Sequence, residues 1–132
     1  ESYLQAFENA EHKHKPEVMI AVGGACADTK EEAEYIVSSQ LYKKTIAQTR
    51  GDDNPWIHPD QVQDNIKGFS AREHRYYNLL KENFVIGTPA ECEERMMKLQ
   101  EYWRTDEFAF LTVTHSFESR KNSYKLLAKQ LL

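Results

Sequence analysis

The sequence predicts an α/β fold, and three observations carry that expectation. Apolar runs at 18–25, 84–87 and 107–114 have strand length, and the first lacks the polar alternation of a half-exposed sheet. Each run is followed by a segment with an apolar stripe at helical spacing. After the first two runs that segment opens on a threonine with a glutamate three residues on, the spacing of a capping box. Strand followed by helix, three times over, implies a parallel sheet joined by right-handed crossovers.

The composition is that of an ordinary globular chain. It has 132 residues, 40% hydrophobic and 29% charged, enough for one domain with a core. The net charge of −4 argues against nucleic acid as a partner, because a phosphate-binding surface needs excess lysine and arginine. No apolar run approaches the roughly 18 residues of a membrane-spanning helix, so no membrane is expected. Cys26 and Cys92 lie in apolar surroundings with no CxxC spacing. They read as reduced core residues of a cytoplasmic protein, although a bridge between them remains open at this point. The chain begins at Glu1 inside a helix-like segment and without methionine, which suggests processing or truncation.

In chain order, residues 2–13 read as a helix with Tyr3, Phe7 and Ala10 on one face. His12 and His14 form an HxH pair without a third ligand, so they read as a loop and no metal is expected. The run Val18 to Ala25 ends at Asp28-Thr29, with Gly23 and Gly24 leaving room for close backbone approach. The next helix presents Ala33, Ile36, Val37 and Leu41 and is expected to run to about Gln48. Residues 49–83 read as an insertion of loop and helices. Gly51 to Pro55 are turn formers, Trp56, Ile57 and His58 anchor the loop, and Pro59 opens a short helix to Ile66. Ser70 and Glu73 then cap a helix carrying Tyr77 and Leu80.

The stretch FVIGTPAECEERMMKL, from Phe84, is the best-formed strand-to-helix turn. Thr88 is the N-cap, Pro89 takes the first helical position, and Cys92, Met96, Leu99 and Trp103 share a face. In Glu107 to Thr114, both alternating sets of side chains are largely apolar, so this strand is expected to be buried on both faces. The last helix starts near Ser116 or Phe117, with Tyr124, Leu127 and Leu131 as its stripe.

Three places in this plan resemble one family. They are Ala27-Asp28-Thr29 with Glu31-Glu32-Ala33, then Val85-Ile86-Gly87-Thr88-Pro89 with Glu91-Cys92, then Arg120, Ser123-Tyr124 and Leu126-Leu127-Ala128. In order and spacing the chain resembles the C-terminal part of a bacterial luciferase-like flavin-dependent monooxygenase. It departs at Ala90, where the family commonly has an acid. The resemblance implies a partial (β/α)8 TIM barrel made of the last three strand–helix units, a single domain over 1–132 with 49–83 inserted. Such a barrel typically needs about 250 residues. Three strands cannot close it, so the chain is expected to pair with the missing N-terminal barrel portion or with a second copy as a homodimer.

The resemblance also implies chemistry at the C-terminal ends of the strands. His115 is the candidate catalytic residue there, as a polar contact or proton donor. Thr114 and Gly23 are the candidate cofactor-binding residues, and Thr88 reads as a cap only. The implied cofactor is reduced FMN, or a deazaflavin in some relatives. The implied reaction oxygenates a small organic substrate, with weak or no flavin binding by this chain alone. The alternative is a non-catalytic barrel fragment that self-associates through its open sheet, with Phe108 and Phe110 in the interface.

Overall fold

The computed structural model describes residues 2–10 and 17–132. The elements run α1 (Ser2–Asn9), β1 (Met19–Cys26), α2 (Lys30–Arg50), α3 (Pro59–Ile66), α4 (Ala71–Asn83), β2 (Val85–Gly87), α5 (Pro89–Trp103), β3 (Glu107–Leu111) and α6 (Phe117–Leu131). The expected end of the first helix, with His12 and His14, lies outside the described residues. Leu4 of α1 is buried, while Tyr3 in the helix and Ala10 just after it, both expected to face inward, are exposed.

The three strands form one parallel sheet, as the strand–helix alternation requires. Its order is β2-β1-β3. Gly24 to Cys26 pair with Val85 to Gly87, and Met19 to Gly23 pair with Glu107 to Leu111. Three neighbouring staves of a barrel would instead stand in the order β1-β2-β3. The physical reason lies in the strands themselves. β2 has three residues and covers only the end of β1, whereas β3 has five and matches the beginning of β1 on its other edge. Pairing there satisfies backbone groups of β1 that would otherwise be open. The Thr105 hydroxyl adds a bond to the Val18 carbonyl where β3 enters the sheet.

Helices cover one face of this sheet and only the C-terminal end of the other. On one side, Val22, Cys26, Val85, Cys92 and Leu127 form a buried cluster with Met96, Leu99, Phe108 and Phe110 against it, so α5 and α6 lie there. On the other side, Ala25 and Ala27 join the α2 residues Ala33, Ile36, Val37 and Leu41. Cys26 and Cys92 are free thiols inside the first cluster. Burial pushes the Cys92 thiol up to about 12 and raises that of Cys26 as well.

Helix α2 is buried over more than the predicted stripe, through Ser38, Ser39, Gln40, Tyr42, Thr45 and Ile46. The insertion explains this, because α3 and α4 pack against α2 in addition to the sheet. Val62, Phe69 and Tyr77 belong to the same cluster as Leu41. The Tyr42 and Phe69 rings stack there at 5.7 Å and 7°. A helix sandwiched between a sheet and other helices has no wide solvent face to keep polar.

An ion pair joins the end of α2 to the start of α4. Arg50 donates to the two Glu73 carboxylate oxygens at 2.9 and 3.1 Å, and the Ser70 amide donates to one of them at 3.2 Å. The Arg50 guanidinium, first, holds the Glu73 carboxyl below its ordinary range. A lowered folded value means that the unfolded chain takes up the proton first on acidification. The stabilisation is therefore complete above the unfolded value of about 4.3 and is lost as pH falls through the lower folded value. Urea unfolding over that acid window should show the midpoint falling with pH in the parent chain, and falling less steeply in Glu73→Gln.

Several local expectations are corrected. The boxes expected at Thr29–Glu32 and Thr88–Glu91 are half-formed. Each threonine hydroxyl accepts from the glutamate amide, at 3.1 and 3.3 Å, without the reciprocal bond. Full boxes occur at Ser70–Glu73 and at His58–Gln61. α2 runs on to Arg50, ended by Gly51 in the left-handed region at φ 71°. β3 stops at Leu111 and is not buried on both faces. Phe108 and Phe110 are half-buried against α5 and α6, so they are not the open surface. That surface is the opposite face, where Met19 is 66% and Leu111 56% exposed, with Ala21 and Ala109 also exposed.

Candidate functional site

Where a chain leaves neighbouring parallel strands toward opposite faces of a sheet, a crevice opens at their C-terminal ends. Here that place lies between β1 and β3. The chain leaves β1 for α2 on one face, and leaves β3 for α6 on the other. The segment after β3 is 112–116, which holds Thr114 and His115. The floor is closed by Ser123 of α6. Its buried hydroxyl accepts from the Cys26 amide at 2.8 Å and lies 3.4 Å from the Thr112 hydroxyl. The end of β1 is thus sealed, and what remains accessible is the rim above it.

His115 is exposed on that rim and does not stand alone. Its ring lies 5.2 Å from that of His58, edge to face at 71°. The structure brings His58 there through the insertion. The 51–58 loop is tied down by the Ser39 hydroxyl, which donates to the Ile57 carbonyl at 2.7 Å. Lys43 adds a bond to the Asn54 carbonyl and sits over the Trp56 ring at 5.8 Å. His58 is then the N-cap of α3, with Pro59 at the first helical position. The Asp60 amide donates to His58 Nδ1 at 3.1 Å, which puts the proton of the neutral ring on Nε2. Tyr35 of α2 closes the group. Its hydroxyl donates to Asp60 Oδ1 at 2.7 Å, and its ring lies 6.5 Å from His58. That bond to Asp60, chiefly, raises the Tyr35 phenol above its usual value.

The other expected site residues are placed differently. Thr114 is on the rim, and its hydroxyl donates to the Ser116 carbonyl at 2.5 Å, shaping the turn into α6. Ser116 accepts from the Ser119 amide at 3.3 Å as N-cap. Gly23 is not on the rim but within β1. The Phe84 ring occupies the space over it, and a Cβ at Gly23 would stand 3.0 Å from Phe84 Cζ. Thr88 caps α5, as expected.

The arrangement offers two imidazoles, a phenol and a carboxylate on a solvent-facing rim, with ring faces for an aromatic ligand and nitrogens for proton traffic. Among the described residues no group of three or more His, Cys, Asp or Glu side chains is placed to hold a metal ion. The cluster of Tyr35, His58, Asp60, Thr114 and His115 contains no lysine or arginine. Sequence reasoning reached His115, took His58 as a loop anchor without linking it to His115, and passed over Tyr35. The signal that could have found them is local: Pro59 after His58, with Gln61 three residues on, is a helix start that holds the imidazole in place.

No family model matches the chain. Three uncharacterized proteins of Bacillus subtilis (strain 168) are similar to it. YwcH is 28% identical over 125 residues, covering 95% of this chain and 37% of YwcH. YceB is 25% identical over 131 residues, covering 98% and 38%, and YvbT is 24% identical over 128, covering 97% and 37%. Among solved structures, the crystal structure of apo-MsnO8 superposes with a TM-score of 0.74 at 20% identity. The likeness covers 88% of this chain and 35% of that one, and at this identity it concerns the fold alone. The chain therefore spans a little over a third of the length of the relatives it matches. No helix of the described residues is long and apolar enough to cross a membrane.

Proposed function

We propose that this segment is the C-terminal portion of a luciferase-like, flavin-dependent monooxygenase acting on a small organic substrate, and that it is inactive alone. The observation that carries the reading is the fold likeness to apo-MsnO8 over nearly the whole of this chain and about a third of that one. The Bacillus relatives match over the same fraction of their length, so the unit recurs within longer proteins. The barrel reading requires the order β1-β2-β3, so within the longer protein β3 would pair with β2.

The rim fits a flavin in part. The His115 and His58 rings suit an aromatic ligand with hydrogen-bonding edges, whereas the cluster has no lysine or arginine to pair with a phosphate. The phosphate would be held by chain outside these residues. The bound flavin would supply the electrons for oxygen activation. The role proposed for this chain is to hold or move a proton at the His115 imidazole, with His58 fixing that ring against the insertion and the rim helping to exclude water.

The test is anaerobic titration with reduced FMN, followed by flavin fluorescence. Residues 1–132 should bind weakly or not at all. In a longer protein containing this segment, His115→Ala should keep flavin binding and lower turnover by about a hundredfold. Micromolar binding by the isolated chain would mean that the flavin site lies wholly here. The non-catalytic reading, self-association through the open sheet, is favoured by the exposed Met19 and Leu111. A dimer in sedimentation that dissociates on Leu111→Lys would support it.

A further inference from the structure

We propose that Cys26 and Cys92 are a dithiol that closes to a disulfide when a small disulfide oxidant reaches it, stapling the end of β1 to the start of α5. The inference concerns the chain's own core and is independent of the flavin reading.

These are the two cysteines of the chain, so neither has another partner within it. The β1–β2 ladder brings them together. Cys26 stands opposite Gly87, the last residue of β2, and Cys92 follows in the first turn of α5. The Cys92 sulfur lies 3.7 Å from the Gly87 carbonyl oxygen and 3.9 Å from that of Ala25. The Gly87 carbonyl in turn accepts from the Ala27 amide at 3.1 Å. Cys92 is therefore held against the chain on both sides of Cys26, and the two thiols are in hydrogen-bond contact. Sulfurs in such contact have no more than about 2 Å left to close before they bond. The pairing of β1 with β2 is common to the observed strand order and to the barrel order. The contact thus depends neither on where β3 lies nor on chain outside these residues.

The step is thiol–disulfide exchange with a small disulfide such as oxidised glutathione. One cysteine thiolate attacks it and releases one thiol, leaving a mixed disulfide. The second cysteine then displaces the other thiol. Two cysteine S–H bonds are lost, one S–S bond forms, and the oxidant is reduced to two thiols, which take up the two protons. Both cysteines are fully buried, and burial keeps them protonated and unreactive while the core is packed. The strand over them is the weak point, since β2 has three residues and pairs with β1 through those three. Local opening of β2 is the event that admits the oxidant. The pair is silent in the closed molecule and acts when β2 lets go, replacing a short ladder with a covalent link.

The test incubates the whole chain with oxidised glutathione at mildly alkaline pH, with and without urea well below the unfolding midpoint. The product is then unfolded in acid, alkylated and digested for mass spectrometry. The expected result is a peptide pair joined through Cys26 and Cys92, formed about tenfold faster in the low urea. The joined chain should unfold at a urea concentration higher by about 1 M, and dithiothreitol should reverse the gain. Two alkylated cysteines after prolonged incubation in the low urea would overturn the proposal. So would glutathione retained on either cysteine, a rate independent of urea, or a joined chain no more resistant to urea than the reduced one.

Discussion

Gly24→Ala is expected to leave this chain largely unfolded, with loss of a cooperative urea transition. A Cβ at Gly24 would stand 2.0 Å from the Val85 carbonyl oxygen and 2.8 Å from the Phe110 ring. The oxygen is backbone, and it belongs to the residue that Gly24 faces across the β1–β2 ladder. It cannot withdraw without breaking that pairing, and β2 has only three residues with which to hold its place. Overpacking alone costs about 1–3 kcal/mol or more, and loss of β2 adds to it, against a total stability of about 5–15 kcal/mol. Gly23→Ala makes the comparison sharp. There the nearest atoms are those of the Phe84 ring at 3.0 Å or more, a half-buried side chain that can shift. That variant should fold and lose about 1 kcal/mol. If the two variants had equal urea midpoints, β1 and β2 would not lie as close as described.

Leu41→Ala should destabilise the chain by about 2–5 kcal/mol and lower the urea midpoint by about 1 M or more. Leu41 is fully buried in the cluster that joins the sheet face, α2 and the insertion. Truncation opens a cavity among side chains from several elements, which cannot all close over it. The effect should reach the rim as well. The insertion carries His58, and Val62 and Phe69 lean on the same cluster. The His58–His115 contact, read as an NMR cross-relaxation peak, should weaken in parallel. Leu79→Ala is the control, since Leu79 is 52% exposed and its loss should change stability by no more than about 0.5 kcal/mol.

How much was legible follows from which interactions are local. Capping residues act within one turn, so Thr29, Ser70, Thr88 and Ser116 marked their helix starts correctly. The stripe Ala33, Ile36, Val37 and Leu41 identified the inner face of α2, because burial of a helix shows in its period. What failed was the burial of β3. Its two faces are similarly apolar in sequence, and only the position of α5 and α6 decides that Phe108 and Phe110 are covered while Ala109 and Leu111 are not. The capping boxes failed for a similar reason. A glutamate at the right spacing forms the reciprocal bond only if its carboxylate is not placed elsewhere, and that of Glu91 lies against Gly87.

The candidate site divides the same way. His115 could be found because it follows a strand, and in parallel sheets the strand ends are where the chain turns toward solvent. Its partner His58 could not be found, since two residues far apart in the chain meet only through the docking of α3 on α2. By itself, then, the sequence determined the kinds of element, their starts, the parallel sense of the strands and the apolar faces of α2 and α5, all properties of neighbouring residues. Tertiary structure alone decided the order β2-β1-β3, the open face at Met19 and Leu111 and the meeting of His58 with His115. Periodicity tells a strand which face to bury but not which edge to pair, and edge pairing is settled by the lengths and packing of all three strands together.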